Sequence, residues 1–206
     1  MKNFLAIDTS SSSLTVAAAN GGKVFVESVA DCAMNHSVKL METVEKALNT
    51  ASLSLQGCDF FACSVGAGSF TGIRIGIATV KGLCAAVGKP ALAVTSFESV
   101  AYNVDSDKVL AVLSAGHGHY YACGFDGQKR VIFPPSYLPA ETIEALAEEY
   151  ALAGFEDLPL PNYTKTDLKE GFVRAVIEKA TRENPVPAEK IEAVYVRKSQ
   201  AEENRK

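Results

Sequence analysis

Apolar residues recur along the first half of the chain with the periods of strands and of helices. Continuous apolar runs are typical of strands at the centre of a sheet, whereas apolar residues spaced three and four apart are typical of one helix face. Asn20-Gly21, between two of the runs, fits a tight hairpin turn. On these patterns we predict strands over residues 4–7, 14–19, 23–29, 60–65 and 90–95, and helices over residues 37–51 and 72–87.

The second half of the chain repeats the opening of the first. Asp8 precedes Asn20 by twelve positions, and Ser114 precedes Asp126 by the same twelve. A repeat of this kind indicates a duplicated half. The second half is predicted to contain strands over residues 108–113, 120–126 and 129–133 and helices over residues 140–151 and 171–182.

Three antiparallel strands followed by crossover helices is the order of a ribonuclease-H-like domain. Two such halves facing each other form the α/β architecture of the actin, sugar-kinase and chaperone ATPase superfamily, and here the second half is abbreviated. We therefore predict an N-terminal ribonuclease-H-like domain at residues 1–103 and a smaller C-terminal domain at residues 104–206. The charged end of the chain, residues 198–206, is expected to fray.

A glycine-rich turn joins a predicted strand to a predicted helix. Residues 66–76 read Gly-Ala-Gly-Ser-Phe-Thr-Gly-Ile-Arg-Ile-Gly. Glycines at such a turn permit close backbone approach, and the free N–H groups of the first helical turn can hold an anion. Close packing explains the motif equally well, since Gly72 and Gly76 lie four apart on one helix face and would let another helix approach. No Gly-Lys-Ser/Thr follows, so the turn is not a Walker P-loop.

Composition limits the function classes. A net charge of −4 over 206 residues argues against a protein that binds nucleic acid by itself, because that affinity comes mainly from Lys and Arg. Five scattered cysteines without a Cys-x-x-Cys pair predict buried thiols in a reducing compartment. The N-terminal apolar run is too short for a signal peptide, and no stretch approaches the ~20 apolar residues of a membrane span. We predict a cytoplasmic protein with no membrane partner.

Four segments together resemble the TsaB (YeaZ) family: Ile7-Asp8-Thr9-Ser10, Asn35-His36-Ser37, the glycine turn, and Tyr195-Val196-Arg197. The resemblance is dense over residues 1–103 and thin afterwards. It implies a non-catalytic partner of TsaD (Gcp), in the bacterial complex that places threonylcarbamoyl on the adenosine beside the tRNA anticodon. It also implies TsaE in the larger complex, tRNA contact only through that complex, and a homodimer as an option when the chain is alone.

The catalytic sibling TsaD differs from this chain at a metal site. Its His-Met-Glu-Gly-His segment supplies two metal-binding histidines, and Ser96 and Val100 stand at those two places here. Glu98 alone cannot supply a set of converging ligands. The resemblance therefore implies no metal, no cofactor and no catalytic residue.

The superfamily holds nucleotide phosphates on a hairpin loop from each half. Here the first loop has a carboxylate and hydroxyls, but the second, Ser114-Ala115-Gly116, lacks the acid that the family commonly has, and Ala67 replaces the usual proline of the glycine turn. We interpret the loops as vestigial phosphate-type loops. Their residues are Asp8, Thr9, Ser10, Gly66, Gly68, Ser69, Thr71 and Gly72.

The two predicted helices of the first half are apolar on more than one face. One stripe of the helix over residues 37–51 contains Val38 and Met41 and is expected to face the core, which leaves Leu40 and Ala47 outside it. Such helices are either central to a large core or covered by another chain. The resemblance implies pairing with TsaD through these helices in a four-helix bundle; the alternative is packing on the C-terminal segment. The predicted partner-binding residues are Leu40, Val44, Ala47, Ile73, Arg74, Ile75, Ile77 and Ala78.

Three function classes remain open. The first is a non-catalytic scaffold that activates TsaD. The second is an independent ATPase or small-molecule kinase, favoured by Asp8 and the glycine turn and opposed by Ser114. The third is a metalloprotease, opposed by the lack of a His-Glu-x-x-His motif. His36 is expected to cap or pack a helix start rather than act as a base, and His117 and His119 are expected in an exposed loop.

Overall fold

The computed structural model describes residues 1–32 and 35–197, so the end expected to fray, 198–206, lies outside the described residues. The strands are β1 Phe4–Asp8, β2 Leu14–Asn20, β3 Lys23–Val29, β4 Phe60–Ser64, β5 Ala91–Val94, β6 Lys108–Gly116, β7 His119–Asp126, β8 Val131–Pro139, β9 Ala151–Gly154 and β10 Tyr163–Lys165. The helices are α1 His36–Thr50, α2 Phe70–Val87, α3 Ser96–Ala101, α4 Ala140–Leu146 and α5 Leu168–Arg182.

Two five-stranded sheets share one topology. The first has the order β3-β2-β1-β4-β5 and the second the order β8-β7-β6-β9-β10. In each sheet the first three strands pair antiparallel, and the central strand pairs in parallel with the next one along the chain. The predicted fold class and the duplication are thereby confirmed. The second half keeps all five strands, and its first helix is the shortened part, with 7 residues in α4 against 15 in α1.

The structure departs from the predicted elements in three places. The helix predicted over residues 140–151 ends at Leu146, because the chain must turn back so that β9 can pair with β6. The strand predicted from Lys129 begins two residues later, since Lys129 has a φ of 62° in the hairpin turn. Strands β9 and β10 and helix α3 were not predicted. Helix α3 does carry a sequence signal, the capping box of Thr95 and Glu98.

Helices from each half cover the sheet of the other. Leu5 and Ile7 of β1 face the layer that contains α1 and α2. The opposite face of the same sheet packs on Phe172 and its neighbours in α5, although α5 follows the second sheet in the chain. Helix α3 instead packs through Phe97 on the second sheet. The division at residues 103 and 104 therefore remains a prediction, because the cores on both sides of it are built from both halves.

Two contacts hold α3 and α5 together where they cross. Gly171 of α5 approaches so closely that a Cβ there would collide with the Ser99 carbonyl oxygen. Lys179 Nζ lies 2.6 Å from Glu98 Oε1, and both side chains are mostly buried. Glu98 also accepts the Thr95 backbone N–H at 2.7 Å, so the same carboxylate caps α3 and anchors α5.

The predicted inner face of α1 is wrong. Val38 and Met41 are 72% and 53% exposed, whereas Leu40 and Ala47 are buried. The buried face runs through His36, Leu40, Thr43, Val44 and Ala47, which also have helix-period spacing. Burying Thr43 is inexpensive because its hydroxyl donates to the Lys39 carbonyl at 2.8 Å. The sequence of α1 has two apolar stripes. The stripe that is buried also contains the polar residues His36 and Thr43, so the pattern alone favoured the other stripe.

Helix α2 is long and apolar enough to cross a membrane, judged by length and composition alone. This differs from the expectation that no stretch would meet that criterion. The core helix of a protein without membrane spans can meet it too. In the structure one side of α2 is buried against the first sheet, through Gly72, Ile73, Gly76, Ile77, Val80, Leu83 and Cys84.

All five cysteines are free and buried, as predicted. Burial raises the pKa of the Cys58 thiol to about 11 and the pKa of Cys63 and Cys123 to about 12. Thiols with such pKa values are protonated at neutral pH, so these side chains act as small apolar groups of the core.

Candidate functional site

Three loops meet at one edge of the first sheet. Strands β1, β4 and β5 are parallel, so their carboxyl ends lie together. The loop after β1, which we call the first loop, begins at Thr9; the glycine turn follows β4; and α3 begins with Ser96 just after β5. The predicted phosphate-type residues are thus brought together in space.

The first loop packs directly on the start of α2. The Ser69 N–H donates to the Ser10 carbonyl oxygen at 2.7 Å, and the Thr9 hydroxyl donates to the Gly72 carbonyl at 2.7 Å. The Gly72 N–H donates to the Ser69 hydroxyl, which caps the helix, at 3.2 Å. The N–H groups of Ser69 and Gly72, which an anion would need, already have partners within the chain.

The glycines of the motif allow this approach. A Cβ on Gly72 would collide with the Thr9 carbonyl oxygen, and one on Gly76 would lie 2.6 Å from the Thr9 hydroxyl oxygen. A Cβ on Gly68 would collide with the Ser10 carbonyl oxygen. Close packing was one of the two sequence hypotheses, but the surface that approaches is the first loop and not another helix.

The other side of the glycine turn is closed by the C-terminal segment and by α3. Gly66 has a φ of 108°, and a Cβ there would lie 2.7 Å from the Val194 carbonyl oxygen. The Val194 N–H donates to the Val65 carbonyl, and the Ser96 N–H donates to the Gly66 carbonyl, each at 2.7 Å. Gly68, Ser69 and Thr71 are the exposed members of the predicted loop residues, and the other five are buried.

Asp8 is a buried carboxyl group that forms no salt bridge with the described residues. Its Oδ1 accepts the Ser10 N–H at 2.8 Å, and its Oδ2 has no hydrogen-bond partner among the described residues. Burial raises the pKa of Asp8, and this effect outweighs the opposing hydrogen bonds from Ser10 and Ser64 and the charge of His36. The neutral acid is therefore favoured relative to an exposed aspartate.

A chain of hydroxyl groups lies beside Asp8. The Ser96 hydroxyl is 3.2 Å from that of Ser10 and 3.4 Å from that of Ser64. Ser96 and Val100 are both fully buried. Within residues 1–32 and 35–197, no three His, Cys, Asp or Glu side chains group together so as to hold a metal ion. Polar atoms here connect the ends of β1, β4 and β5 to one another.

His36 packs under the first loop. It is buried, and its Nε2 lies 3.4 Å from the Ser13 carbonyl oxygen. Asn35 stands at the N-cap position of α1 without a side-chain capping bond. Of the two roles predicted for His36, the structure shows packing. His117 is exposed in the β6–β7 turn, as predicted, and His119 is half-buried, with its ring stacked on Tyr137 at 4.7 Å.

The second loop receives an acid that the sequence did not reveal. Glu156, two residues after β9, accepts the Ser114 N–H at 2.6 Å, and burial raises the pKa of its carboxyl group. A cleft of about 720 Å³ separates this pair from Ser10 and the rest of the first loop. The sequence did not predict this pairing, because β9 positions Glu156 and the sequence pattern did not predict β9.

The predicted partner-binding residues divide into two sets. Five of them lie in the core and are not available to a partner, which corrects the prediction for Leu40, Val44, Ala47, Ile73 and Ile77. Three lie at the surface: Arg74 and Ala78 are exposed and Ile75 is half-buried. Arg74 already donates through Nε to the Tyr195 hydroxyl at 2.9 Å.

Comparisons with known proteins agree on one family. A model of the TsaD family, described as tRNA N6-adenosine threonylcarbamoyltransferase, matches residues 24–166. The protein named tRNA threonylcarbamoyladenosine biosynthesis protein TsaB in Bacillus subtilis is 36% identical over 99 residues, which are 48% of this chain and 43% of that protein. Its namesake in Escherichia coli is 32% identical over 121 residues, 57% of this chain and 52% of that protein. The chain thus matches about half the length of these curated relatives.

A solved structure resembles the whole chain. YeaZ from Pseudomonas aeruginosa superposes with a TM-score of 0.80 at 25% identity, over 95% of this chain and 100% of that chain. The likeness covers both sheets, including the second half, where the sequence resemblance is thin.

We predict that alanine at Gly72 destabilises the fold, while alanine at Gly82 does not. Gly72→Ala forces α2 away from the Thr9 carbonyl and should lower the free energy of unfolding by at least about 2 kcal/mol. Gly82 lies on the exposed side of the same helix with no atom near its Cβ position, so Gly82→Ala should raise that free energy by about 0.5–1 kcal/mol. Urea unfolding measures both. Equal changes in the two variants would contradict the packing role of Gly72.

We also predict that Asp8→Asn stabilises the protein at neutral pH. A carboxyl group whose pKa is raised by folding contributes its full stability below its ordinary pKa of 3.8 and loses it as the pH rises through the raised value. Asparagine is neutral throughout, so the variant should be more stable than the parent at pH 7, and the gain should vanish as the pH falls toward 4. Melting temperatures across this pH range test it. The exposed Asp157→Asn should show no such pH-dependent gain.

Proposed function

The chain belongs to the TsaB (YeaZ) branch of the family that the TsaD model describes, and from this membership we propose that it is a non-catalytic subunit of a tRNA-modifying complex. The complex would transfer threonylcarbamoyl to the adenosine beside the anticodon. In this proposal TsaD is the catalytic partner, TsaE joins the larger complex, and tRNA is bound by the assembly in the cytoplasm. The chain itself acts as a scaffold and activator.

The closed contact between the first loop and α2 carries the non-catalytic part of the proposal. A phosphate held at the start of α2 would need N–H groups that are free and a loop that stands clear of them. Here Ser69 and Gly72 donate within the chain, and the Thr9 carbonyl lies against the glycine surface of the helix. Opening this contact would expose the buried Asp8 and disconnect β1 from α2.

The exposed faces of α1 and α2 are the proposed surface for TsaD. These two helices contact each other on one side of the first sheet. Val38 and Met41 are exposed large apolar side chains on α1, and Ile75 and Ala78 of α2 add apolar area. Exposed apolar area on neighbouring helices is typical of a protein interface. A homodimer formed without TsaD would use the same surface.

An independent ATPase or small-molecule kinase is the alternative. The cleft of about 720 Å³ between the halves favours it, because it is lined by Lys165, Lys169 and Glu156 and is large enough for a nucleotide. Against it, Lys165 pairs with Asp157 at 2.6 Å. Within the described residues, the Ser69 and Gly72 N–H groups that would hold a phosphate already have partners.

We predict that an acidic residue on the exposed helix surface prevents association with TsaD. Met41→Asp and Ile75→Asp should each lower the affinity for TsaD at least roughly 30-fold, since an unpaired charge at the centre of an interface costs more than about 2 kcal/mol of binding free energy. Both variants should keep the circular dichroism spectrum of the parent, because neither residue is fully buried. Size-exclusion chromatography with TsaD measures the effect.

The control for this surface is Val131→Asp, which places the same charge on a residue of β8 that is 55% exposed. It should leave TsaD association unchanged. Leu40→Asp is unsuitable, because Leu40 is buried and the variant should unfold. If Met41→Asp and Ile75→Asp stay folded and bind TsaD as the parent does, the proposed surface is wrong.

We further predict that the purified chain neither hydrolyses ATP nor modifies tRNA without TsaD. The reason is that the start of α2 is occupied by the first loop and that Ser96 and Val100 offer no metal ligands. Release of phosphate by the isolated chain measures ATP hydrolysis. Transfer of threonylcarbamoyl to tRNA by the isolated chain measures tRNA modification. ATP turnover that disappears in Asp8→Ala would favour the kinase alternative instead.

A further inference from the structure

The two sheets have four outer edges, and three of them are protected against pairing with a further strand. The edge of β5 is bridged by the returning chain, where Ala91 and Val186 exchange two backbone hydrogen bonds of 2.8 Å. Strand β8 contains Pro134 and Pro135, which lack an N–H group, and its pairing with β7 is irregular. Strand β10 has only three residues. Short strands, prolines and bulges all prevent edge-to-edge association of sheets.

The fourth edge belongs to β3, and within the described residues none of these devices protects it. All seven residues of β3 pair with β2 in one unbroken antiparallel register. The centre of the strand, Val24-Phe25-Val26, has no charge and no proline. Val26 is 44% exposed. An apolar, regular edge of this kind is a template for another strand.

The turn between β2 and β3 determines which backbone groups of β3 point outward. Gly21 and Gly22 both have a positive φ, 56° and 84°, as in a two-residue type I′ turn. Asn20 and Lys23 are therefore the hydrogen-bonded pair that closes the hairpin. Hydrogen-bonded and non-hydrogen-bonded pairs alternate along an antiparallel ladder. The residues whose N–H and C=O groups point away from β2 are thus Val24, Val26 and Ser28.

A second copy of β3 matches this edge in one register. In an antiparallel pair with twofold symmetry, outward-pointing residues must lie opposite each other, so the axis passes through a residue position. An axis at Phe25 puts Val24 opposite Val26 of the second copy. It also puts Lys23 opposite Glu27 of the second copy, and each pair occurs twice. An axis at Val26 would instead put Glu27 opposite Phe25, where no opposite charge faces it.

We propose that two copies of this chain associate through the outer edges of β3, with the axis at Phe25. The two five-stranded sheets then form one continuous antiparallel junction. Apolar side chains of β3 and α5 line a groove of about 640 Å³ beside this edge, among them Val24, Val26, Val173 and Ile177. Because the axis is perpendicular to the sheet, the grooves of the two copies lie on the same face and adjoin. Pairing thereby removes the exposed Val26 side chain from water.

The charges at the two ends of the strand support this register. Lys23 is exposed at the start of β3. Glu27 pairs through Oε2 with Lys46 of α1 at 2.7 Å, and its side chain remains 20% exposed. A carboxylate accepts hydrogen bonds at both oxygens, so the lysine of the second copy can join this pair. The paired segment is short, so we expect a weak, reversible dimer.

The β3 edge is separate from the surface proposed for TsaD. That surface consists of the exposed faces of α1 and α2, and a homodimer formed there would exclude TsaD. A dimer through β3 leaves both helix faces free. Each copy could then hold its own TsaD, so the proposal does not rest on the proposed function.

The first test is sedimentation of the purified full chain over a wide range of concentrations. We expect a reversible monomer–dimer equilibrium. Val26→Lys places an edge-protecting charge in the pair and should weaken the dimer at least roughly tenfold. The matched control is Val131→Lys, on an exposed valine of the β8 edge, and it should leave the dimer unchanged. Circular dichroism should show that both variants stay folded, because both valines are exposed.

The second test uses the charged pairs to check the register. Lys23→Glu and Glu27→Lys each put like charges opposite each other at two places in the dimer, so each should weaken self-association about tenfold. An equal mixture of the two variants has opposite charges at both places. We therefore expect the mixture to form a heterodimer about as strong as the parent dimer.

Several outcomes would overturn the β3 dimer. One is a chain that stays monomeric at every concentration. Another is a dimer that Met41→Asp abolishes and Val26→Lys leaves intact, because that dimer uses the helices. A third is a mixture of the two charge variants that stays monomeric while the parent dimerises. If Val26→Lys loses TsaD association and keeps the dimer, the edge belongs to TsaD and the proposal is wrong. A β3 dimer that does not bind TsaD would contradict the proposed function alone.

Discussion

Helix α2 lies where it does because its first turns present glycine to the first loop. The Thr9 carbonyl occupies space that a side chain at Gly72 would fill, and the Thr9 hydroxyl approaches Gly76 in the same way. The Ser69 N–H donates across this contact to the Ser10 carbonyl oxygen, and the Gly72 N–H donates to the Ser69 hydroxyl that caps the helix. One contact thus joins β1 to α2 and leaves these two N–H groups with partners inside the chain.

The second constraint is the exchange of helices between the two halves. A sheet in this architecture needs a helical layer on each face, and the first sheet obtains its second layer from α5. The return of the chain after α5 brings residues 193–197 across the glycine turn, where Val194 bonds to Val65. The second half is therefore linked to the first half twice, by the chain connection at its start and by the returning segment at its end. The contact of the Tyr195 ring with Phe70 depends on this return of the segment to the start of α2.

The two halves have carboxyl groups in different positions at the site. Asp8 is buried and forms no salt bridge with the described residues, so burial favours its neutral form, and the nearby hydroxyls of Ser10 and Ser96 lie in a hydrogen-bonded chain. In the second half Ser114 stands at the position that the repeat aligns with Asp8, and its N–H donates to Glu156, which follows β9. Each acid holds a loop in place by bonding to its backbone.

The sequence by itself determined the repeated topology, because strand order follows from apolar runs and from turns such as Asn20-Gly21 that are local in the chain. It also determined the family, since the motifs at Asp8 and Gly66 are short and contiguous. It did not determine which stripe of α1 faces the core, because both Val38 and Leu40 lie on stripes with helix-period spacing. Only tertiary structure decided that choice, through the surface against which the helix packs. The same holds for Glu156 and Tyr195, whose partners are 42 and 121 positions away and are set by β9 and by the returning chain.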